Sequence, residues 1–291
     1  MMDADARRFR PGLVPWTRRL EQMPWWVLIL LLLGVLVVFA FASSERYQEA
    51  LAFLLPGVQL TVVLAVTAFG LSLILGLLAG LGRVSRNPVF YTLATLYVQI
   101  IRGIPLLVQI LYVAFVVTPG LVALVNLLGR GLLGLGWSSQ LAANMAAFNI
   151  QGVDMTVRGI IALAFGYGAY EAEVFRAGIE AISKGQMEAA RSLGMSYIQA
   201  MRYVVLPQAV RVVLPPLGND FISMLKDTSL VSALAIRELT QLGKLFRGRT
   251  FRTFETWNTV AFLYLIMTIT LSLLVRLMAV SYTHLRAHET P

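Results

Sequence analysis

The sequence predicts an all-α integral membrane protein, and three observations carry that expectation. Of its 291 residues 58% are hydrophobic and 13% charged, against about 25% charged in a soluble domain. Uncharged runs recur near the roughly 20 residues that cross a bilayer as a helix. The formal charge of +9 is scattered between those runs. It is not gathered on one face, as nucleic-acid binding requires, so the lipid bilayer is an expected partner and nucleic acid is not. With no cysteine in the chain, thiol catalysis, disulfides and zinc-thiolate sites are excluded.

Residues 1–24 form a basic N-terminus with Arg7, Arg8, Arg10, Arg18 and Arg19, and Trp25 and Trp26 then open an uncharged run to Ala42. A basic flank followed by an interfacial tryptophan pair places this end in the cytoplasm. Ala40-Phe41-Ala42 resembles a signal-peptidase site, but the leader is long and further spans follow, so 25–42 reads as an uncleaved transmembrane helix. The second span is expected from Gly57 to Leu81, ending in a cytoplasmic turn marked by Arg83, Arg86 and Pro88. Gly76 and Gly80 either admit a close neighbouring helix or are the ordinary glycine of membrane segments. Pro88 to Ile101 is too short to cross and reads as an interfacial helix ended by Arg102.

Arg102-Gly103-Ile104-Pro105 is a hinge signal, since proline removes a donor and glycine removes steric restriction. The third span follows from Gly103 to about Leu124, with Gln109 as a lone amide inside it. Such an amide bonds to a neighbouring helix or lines a pathway. Residues 125–157 are weakly patterned and read as an outer loop with room for an interfacial helix. The fourth span begins after Arg158 and must carry Glu171, Glu173 and Arg176 at or near membrane depth, where ionisable groups mark pathways or snorkel to the interface. Glu173 and Arg176, three apart, can neutralise each other.

Val210 to Ile236 is interrupted by Pro215-Pro216 and carries Asn219, Asp220, Lys226, Asp227 and Thr228. A broken segment of this kind requires protein or water around it, and transporters build sites there; a structural ion pair with a capping Asp or Thr is the competing account. Residues 237–256 read as a basic loop, and the last span as Trp257 to Val275. The tail 279–291 changes character at Ser281 and holds the only histidines, His284 and His288. It reads as a disordered tail that need not be native.

Between the fourth span and the broken segment lies a polar island, 183–207. Ser183 to Gln186 reads as a capping box, Gly194 as the left-handed end of the helix it opens, and Ser196 to Gln199 as a second box whose helix Pro207 stops. Two short helices joined at a glycine corner make a rigid handle between membrane spans. There is no phosphate-binding loop, because Gly243-Lys244 is followed by Leu245 and lacks the upstream glycine. Active transport would therefore need an ion gradient or another subunit.

Glu188-Ala189-Ala190, three residues, Gly194, nine residues, Val204, one residue and Leu206-Pro207 resemble the EAA signature of permease subunits of bacterial ATP-binding-cassette importers. Arg102 to Leu107, Tyr170 with Glu173 and Arg176, Gly185-Gln186, Leu206-Pro207-Gln208 and Lys226 to Leu230 resemble its polar amino acid branch, over roughly residues 51–278. The resemblance implies a five-helix core of the type I importer kind plus the N-terminal helix. That makes about six transmembrane helices crossing the bacterial cytoplasmic membrane with both termini on its inner side and 237–256 outside, whereas charge alone favours a re-entrant 210–236 with 237–256 in the cytoplasm and the C-terminus outside. The resemblance implies that Gly185, Gln186, Glu188, Ala189, Ala190, Gly194, Leu206 and Pro207 form the coupling site for two ATPase subunits. Those subunits bind ATP and Mg, and this chain binds no cofactor. A second permease chain and an extracytoplasmic amino-acid-binding protein complete the assembly. Arg102, Pro105, Gln109, Glu173, Arg176, Asn219, Lys226, Asp227 and Thr228 are the candidate pathway or gating residues. Val204 and Ile104 depart from the usual isoleucine and threonine.

The expected function is a non-enzymatic permease for polar amino acids working by alternating access. The competing reading is a self-powered secondary transporter or channel that uses Glu171, Glu173, Asp220 and Lys226 as ion-coupling groups.

Overall fold

A computed structural model describes residues 25–137 and 139–284, which divide into two units after Glu49. The basic residues between Arg7 and Arg19, and His288, lie outside the described residues. No strand occurs among the described residues. The first unit is built on α1 (Trp25–Ser43), where Ser43 Oγ donates to the Phe39 carbonyl at 2.6 Å and Phe41 meets Tyr47 with ring centroids 5.0 Å apart.

The next helix, α2 (Glu45–Arg83), starts well before the expected Gly57 and ends at the anticipated turn. Asn87 caps α3 (Pro88–Arg102), its side chain accepting from the Val89 N–H at 2.9 Å. α4 (Leu106–Tyr112) follows the break at Gly103–Pro105. It continues through a π-turn, Val113–Val117, into α5 (Thr118–Gly134), so this span exceeds the expected end at Leu124. The segment read as an outer loop is therefore largely helical. Besides the end of α5 it contains α6 (Gln140–Ala146), which packs back on α5. Glycines among the apolar residues weakened the helical pattern there.

Asp154 caps α7 (Met155–Glu180). Hydrogen bonds from Thr156 hold its carboxyl below the usual carboxylate range. α8 (Lys184–Ser192), α9 (Tyr197–Ala200), a second π-turn at Met201–Val205 and α10 (Leu206–Asp227) come next. A 3-10 stretch, Thr228–Leu234, leads to α11 (Leu239–Thr250) and finally to α12 (Thr253–His284). By length and composition α2, Leu106–Gly134 and Thr253–Leu277 are long and apolar enough to cross a membrane. α7 and α10, at 26 and 22 residues, have the length but carry the ionisable groups already noted.

Two expectations fail for one physical reason, that a proline need not end a helix. Pro207 does not stop a helix; it sits in the first turn of α10, directly after a π-turn. There the Leu206 N–H reaches the Met201 carbonyl, a five-residue step. Widening the turn in this way moves the carbonyl that the proline ring would otherwise strike. Pro119 repeats the arrangement, with the Thr118 N–H reaching Val113. Pro215 and Pro216 lie inside α10 without breaking it, and both are exposed, as are Arg211 and Val212, which lose their helical donors. The break falls instead after Asp227, ending with Ala235 at φ 58°.

The basic loop 237–256 is likewise corrected. Glu238 caps α11, accepting from Thr240 and Gln241 N–H at 2.8 and 2.7 Å and from the Tyr264 hydroxyl at 3.0 Å. The stripe Leu239, Leu242 and Phe246 buries one face, so the charges decorate a helix. At the other end α12 runs past Ser281 to His284, and the composition change does not end it.

The core of the second unit joins α2, α4, α7 and α10 around Leu64, Ile110, Leu163, Tyr167 and Met224. One stripe of α2 is buried, running through Leu54, Thr61, Leu64, Ala68, Ser72, Gly76 and Gly80, while Val62, Val66 and Leu78 remain exposed. Leu64 and Ala68 enter this core, and Leu54 packs in a second one with Leu239, Leu242, Val260 and Leu263. Of the two readings of Gly76 and Gly80, close approach holds. A Cβ at Gly76 would stand 2.6 Å from Glu171 Cβ and 3.2 Å from the Ala172 nitrogen. We therefore expect Gly76→Val to separate α2 from α7 and to destabilise the protein by about 1–3 kcal/mol. Thermal unfolding in detergent measures this, and an unchanged midpoint would show that the two helices do not depend on this contact.

Candidate functional site

The bracket forms by local capping, with one of the two expected boxes incomplete. Ser183 Oγ accepts from the Gly185 N–H at 3.3 Å, and the Gln186 N–H goes to the Ser183 carbonyl at 2.9 Å. This is a capped start to α8 without the reciprocal arm of a box. α8 ends in a Schellman motif, Met195 N–H to Ala190 O at 3.2 Å and Gly194 N–H to Arg191 O at 3.0 Å. Gly194 holds φ 84°, the left-handed corner the sequence calls for. The second box is complete: Ser196 Oγ accepts from Gln199 N–H at 3.3 Å, and Gln199 Oε1 from Ser196 N–H at 2.8 Å.

The side chains of this bracket divide by face. Ala190 and Ala200 are buried and hold α8 against the start of the following helix, while Gly185, Gln186, Glu188 and Ala189 are exposed. Leu206 and Pro207 are exposed in the first turn of α10. Sequence reasoning missed Leu193 and Ile198, which flank the corner at 81% and 75% exposure, with Tyr197 and Tyr203 also exposed. An apolar residue on each side of a left-handed glycine in a polar island was the available signal. Beyond the corner, Gln208 Nε2 donates to the Val204 carbonyl at 2.9 Å and steadies the π-turn that joins the bracket to α10.

The candidate pathway residues separate into two groups along α7. At the end nearer the bracket, Glu173 pairs with Arg83 and Arg176, Arg102 lies 3.9 Å away, and Arg176 also pairs with Glu180. The expected Glu173–Arg176 pair thus belongs to a network of three guanidinium groups and two carboxylates. It links the end of α2, the end of α3 and α7. Arg102 also stacks over the Tyr170 ring at 5.6 Å from its centroid. Six residues earlier on α7, about 9 Å along the axis, the Tyr167 hydroxyl donates to Asp227 Oδ2 at 2.7 Å. Thr228 Oγ1 donates to the Leu225 carbonyl at 2.7 Å, and Asn219 and Lys226 are exposed. Asp227 is thus held by Tyr167, and among the described residues no ion pair joins it to Lys226.

Between these groups the polar atoms are structural in geometry. Glu171 is fully buried and accepts from Ser72 Oγ at 2.7 Å, bridging α7 to α2. Gln109 is buried beside the break, and its Nε2 donates to the Ile101 and Ile104 carbonyls at 2.6 Å each. Pro105 opens α4 as its N-cap. The Gln109 amide thus supplies the donors that the Gly103–Pro105 break removes from the end of α3.

Comparison with known proteins places these features. The family model described as "Binding-protein-dependent transport system inner membrane component" matches residues 72–287. The glutamine transport system permease protein GlnP of Escherichia coli K12 is 33% identical over 227 residues, covering 78% of this chain and 91% of that one. The probable amino-acid permease protein YxeN of Bacillus subtilis is 34% identical over 230 residues, covering 79% and 91%. A crystal structure of an amino acid ABC transporter with histidines superposes with a TM-score of 0.62 at 34% identity, covering 82% of this chain and 97% of that one. The inward-facing MetNI methionine ABC transporter, at 20% identity and a TM-score of 0.59, shares the fold.

Proposed function

The chain belongs to the family of binding-protein-dependent transport system inner membrane components, and from that premise we propose that it is the permease subunit of an ATP-driven importer of polar amino acids. It is a multi-pass inner-membrane permease of the ATP-binding-cassette class. The amino acid substrate is inferred from the relatives, which are named for glutamine or for amino acids. The motor lies on partner chains, two ATPase subunits that bind ATP and Mg, with a second permease chain and an extracytoplasmic binding protein. The six-span topology, the permease domain over 51–278 and the coupling region over 183–207 belong to the same proposal.

The observation that carries this reading is the bracket itself. α8 and α9 are fixed at a set angle by a Schellman motif and a closed capping box, and Glu188, Leu193, Tyr197 and Ile198 are each exposed on this bracket. An apolar knob beside an acid fits a cleft in a soluble partner with a basic rim. Closure of the ATPases would draw two such brackets together. Force would pass through the π-turn into α10 and, through Ala181 and Ile182, into α7. The Glu173 network ties α7 to the ends of α2 and α3, so these helices move as one body, while the Tyr167–Asp227 bond joins α7 to α10 nearer mid-depth. Alternating access is then a rocking of these helices about the gap between two permease chains.

Glu188→Lys is expected to leave membrane insertion intact and to weaken ATPase docking roughly tenfold, because it reverses charge at the contact. Co-purification and titration of the ATPase subunit measure it. Uptake in vesicles driven by an ion gradient through this chain alone would overturn the reading.

A further inference from the structure

The most exposed phenylalanines among the described residues lie apart from the bracket, at the corner between α11 and α12. Phe251 is 87% and Phe254 82% exposed. Phe251 caps α11 at φ 59°, a left-handed conformation that disfavours any residue with a Cβ. Glycine or asparagine would end the helix with less strain, so the turn alone does not explain a phenylalanine there. Arg247 and Arg249 stand exposed in the last turn of α11. The Arg249 guanidinium lies over the Phe53 ring at 5.6 Å from its centroid, and Phe53 meets Phe246 at 5.3 Å.

Phe53 belongs to α2, and Thr253 begins α12, so the corner is continuous with the ends of two apolar spans. That position is the level at which hydrocarbon gives way to headgroups, and the chemistry matches it. Guanidinium groups bind phosphate through paired donors, and exposed aromatic rings settle at the acyl boundary. We propose that this corner holds an anionic phospholipid, with Arg247 and Arg249 on the phosphate and Phe251 and Phe254 in the acyl boundary beside it. The proposal rests on the six-span topology only for the leaflet, which is the extracytoplasmic one. A basic segment there runs against the positive-inside tendency, and a bound anionic headgroup offsets its charge.

The test uses the assembled transporter in nanodiscs of phosphatidylcholine with and without phosphatidylglycerol, without ATP or substrate, so that its outcome is independent of transport. Native mass spectrometry counts the phosphatidylglycerol retained. Arg247→Gln with Arg249→Gln is expected to lower the affinity for that lipid about tenfold or more, since each basic residue near an anionic surface contributes about fivefold. Phe251→Asn separates binding from folding: it relieves the left-handed strain and is expected to raise thermal stability while lowering lipid retention. Retention equal to the parent's in both variants overturns the proposal. It is also overturned if lipid retention is unchanged while, in phosphatidylcholine alone, the variants weaken either the binding protein's affinity or the pairing of permease chains. Those results would assign the corner to a protein contact.

Discussion

Gly194→Val is expected to abolish ATP-coupled uptake while leaving the chain inserted and folded, and Gly194→Asn is expected to retain most of it. The contrast isolates backbone geometry, because a Cβ on Gly194 would meet nothing within 4 Å. The effect therefore comes from φ 84°, which costs an L residue about 1–2 kcal/mol and a β-branched one more, whereas asparagine tolerates it. A corner that escapes the left-handed region breaks the two bonds to Ala190 and Arg191 and turns α9 away from α8. Leu193 and Ile198 would then no longer face one partner together. Uptake and ATPase rate in reconstituted complexes are the measurements, with ATPase co-purification as the control for assembly. Full uptake by Gly194→Val would show that the angle of the bracket does not matter to coupling.

Arg158→Met is expected to be among the most destabilising single changes in the second unit. Arg158 is 8% exposed and donates to three carbonyls, from Nε to Val153 at 3.0 Å, from one terminal nitrogen to Ala114 at 3.3 Å and from the other to Ile150 at 2.8 Å. Ala114 lies in the first π-turn, so one guanidinium pins that turn to the entry of α7. The Ile150 carbonyl keeps a second donor, the Val153 N–H at 3.1 Å. The other two acceptors would lose the guanidinium at about 1–3 kcal/mol each, which sums to roughly 2–6 kcal/mol. The melting temperature in detergent reads this directly. Arg158→Lys should recover only part of it, because an ammonium lacks the planar fork that reaches three carbonyls. Equal stability of the methionine variant would mean that water replaces the guanidinium.

Arg158 also shows where sequence reading stops. Taken alone it marked the start of a span, and nothing adjacent to it named its acceptors, which lie 5, 8 and 44 residues away. Gln109 and Glu171 were legible as polar groups in apolar segments. Their partners, the carbonyls at the Gly103 break and Ser72 on α2, required the fold. The bracket was legible to a different degree. Its caps and its glycine corner involve residues within six positions of each other, so the chemistry of the turn is written locally. Two readings failed there: the Ser183 box lacks its reciprocal arm, and Pro207 does not stop the helix, because a proline excludes a regular α-turn but does not say whether the chain will stop or widen.

The sequence by itself determined that this is a helical membrane protein, that it carries no phosphate-binding loop, and that a capped, glycine-cornered bracket interrupts its spans. Those features follow from composition, periodicity and short-range sterics, each of which acts within a few residues. The tertiary structure alone decided that α10 runs unbroken through two prolines, that 239–250 within the basic segment is helical, and that Glu173 gathers arginines from the ends of α2 and α3. Each of these depends on which groups meet across the bundle. In an apolar environment a freed carbonyl or a buried charge is stable only beside a specific partner, and residues far apart in the chain supply that partner.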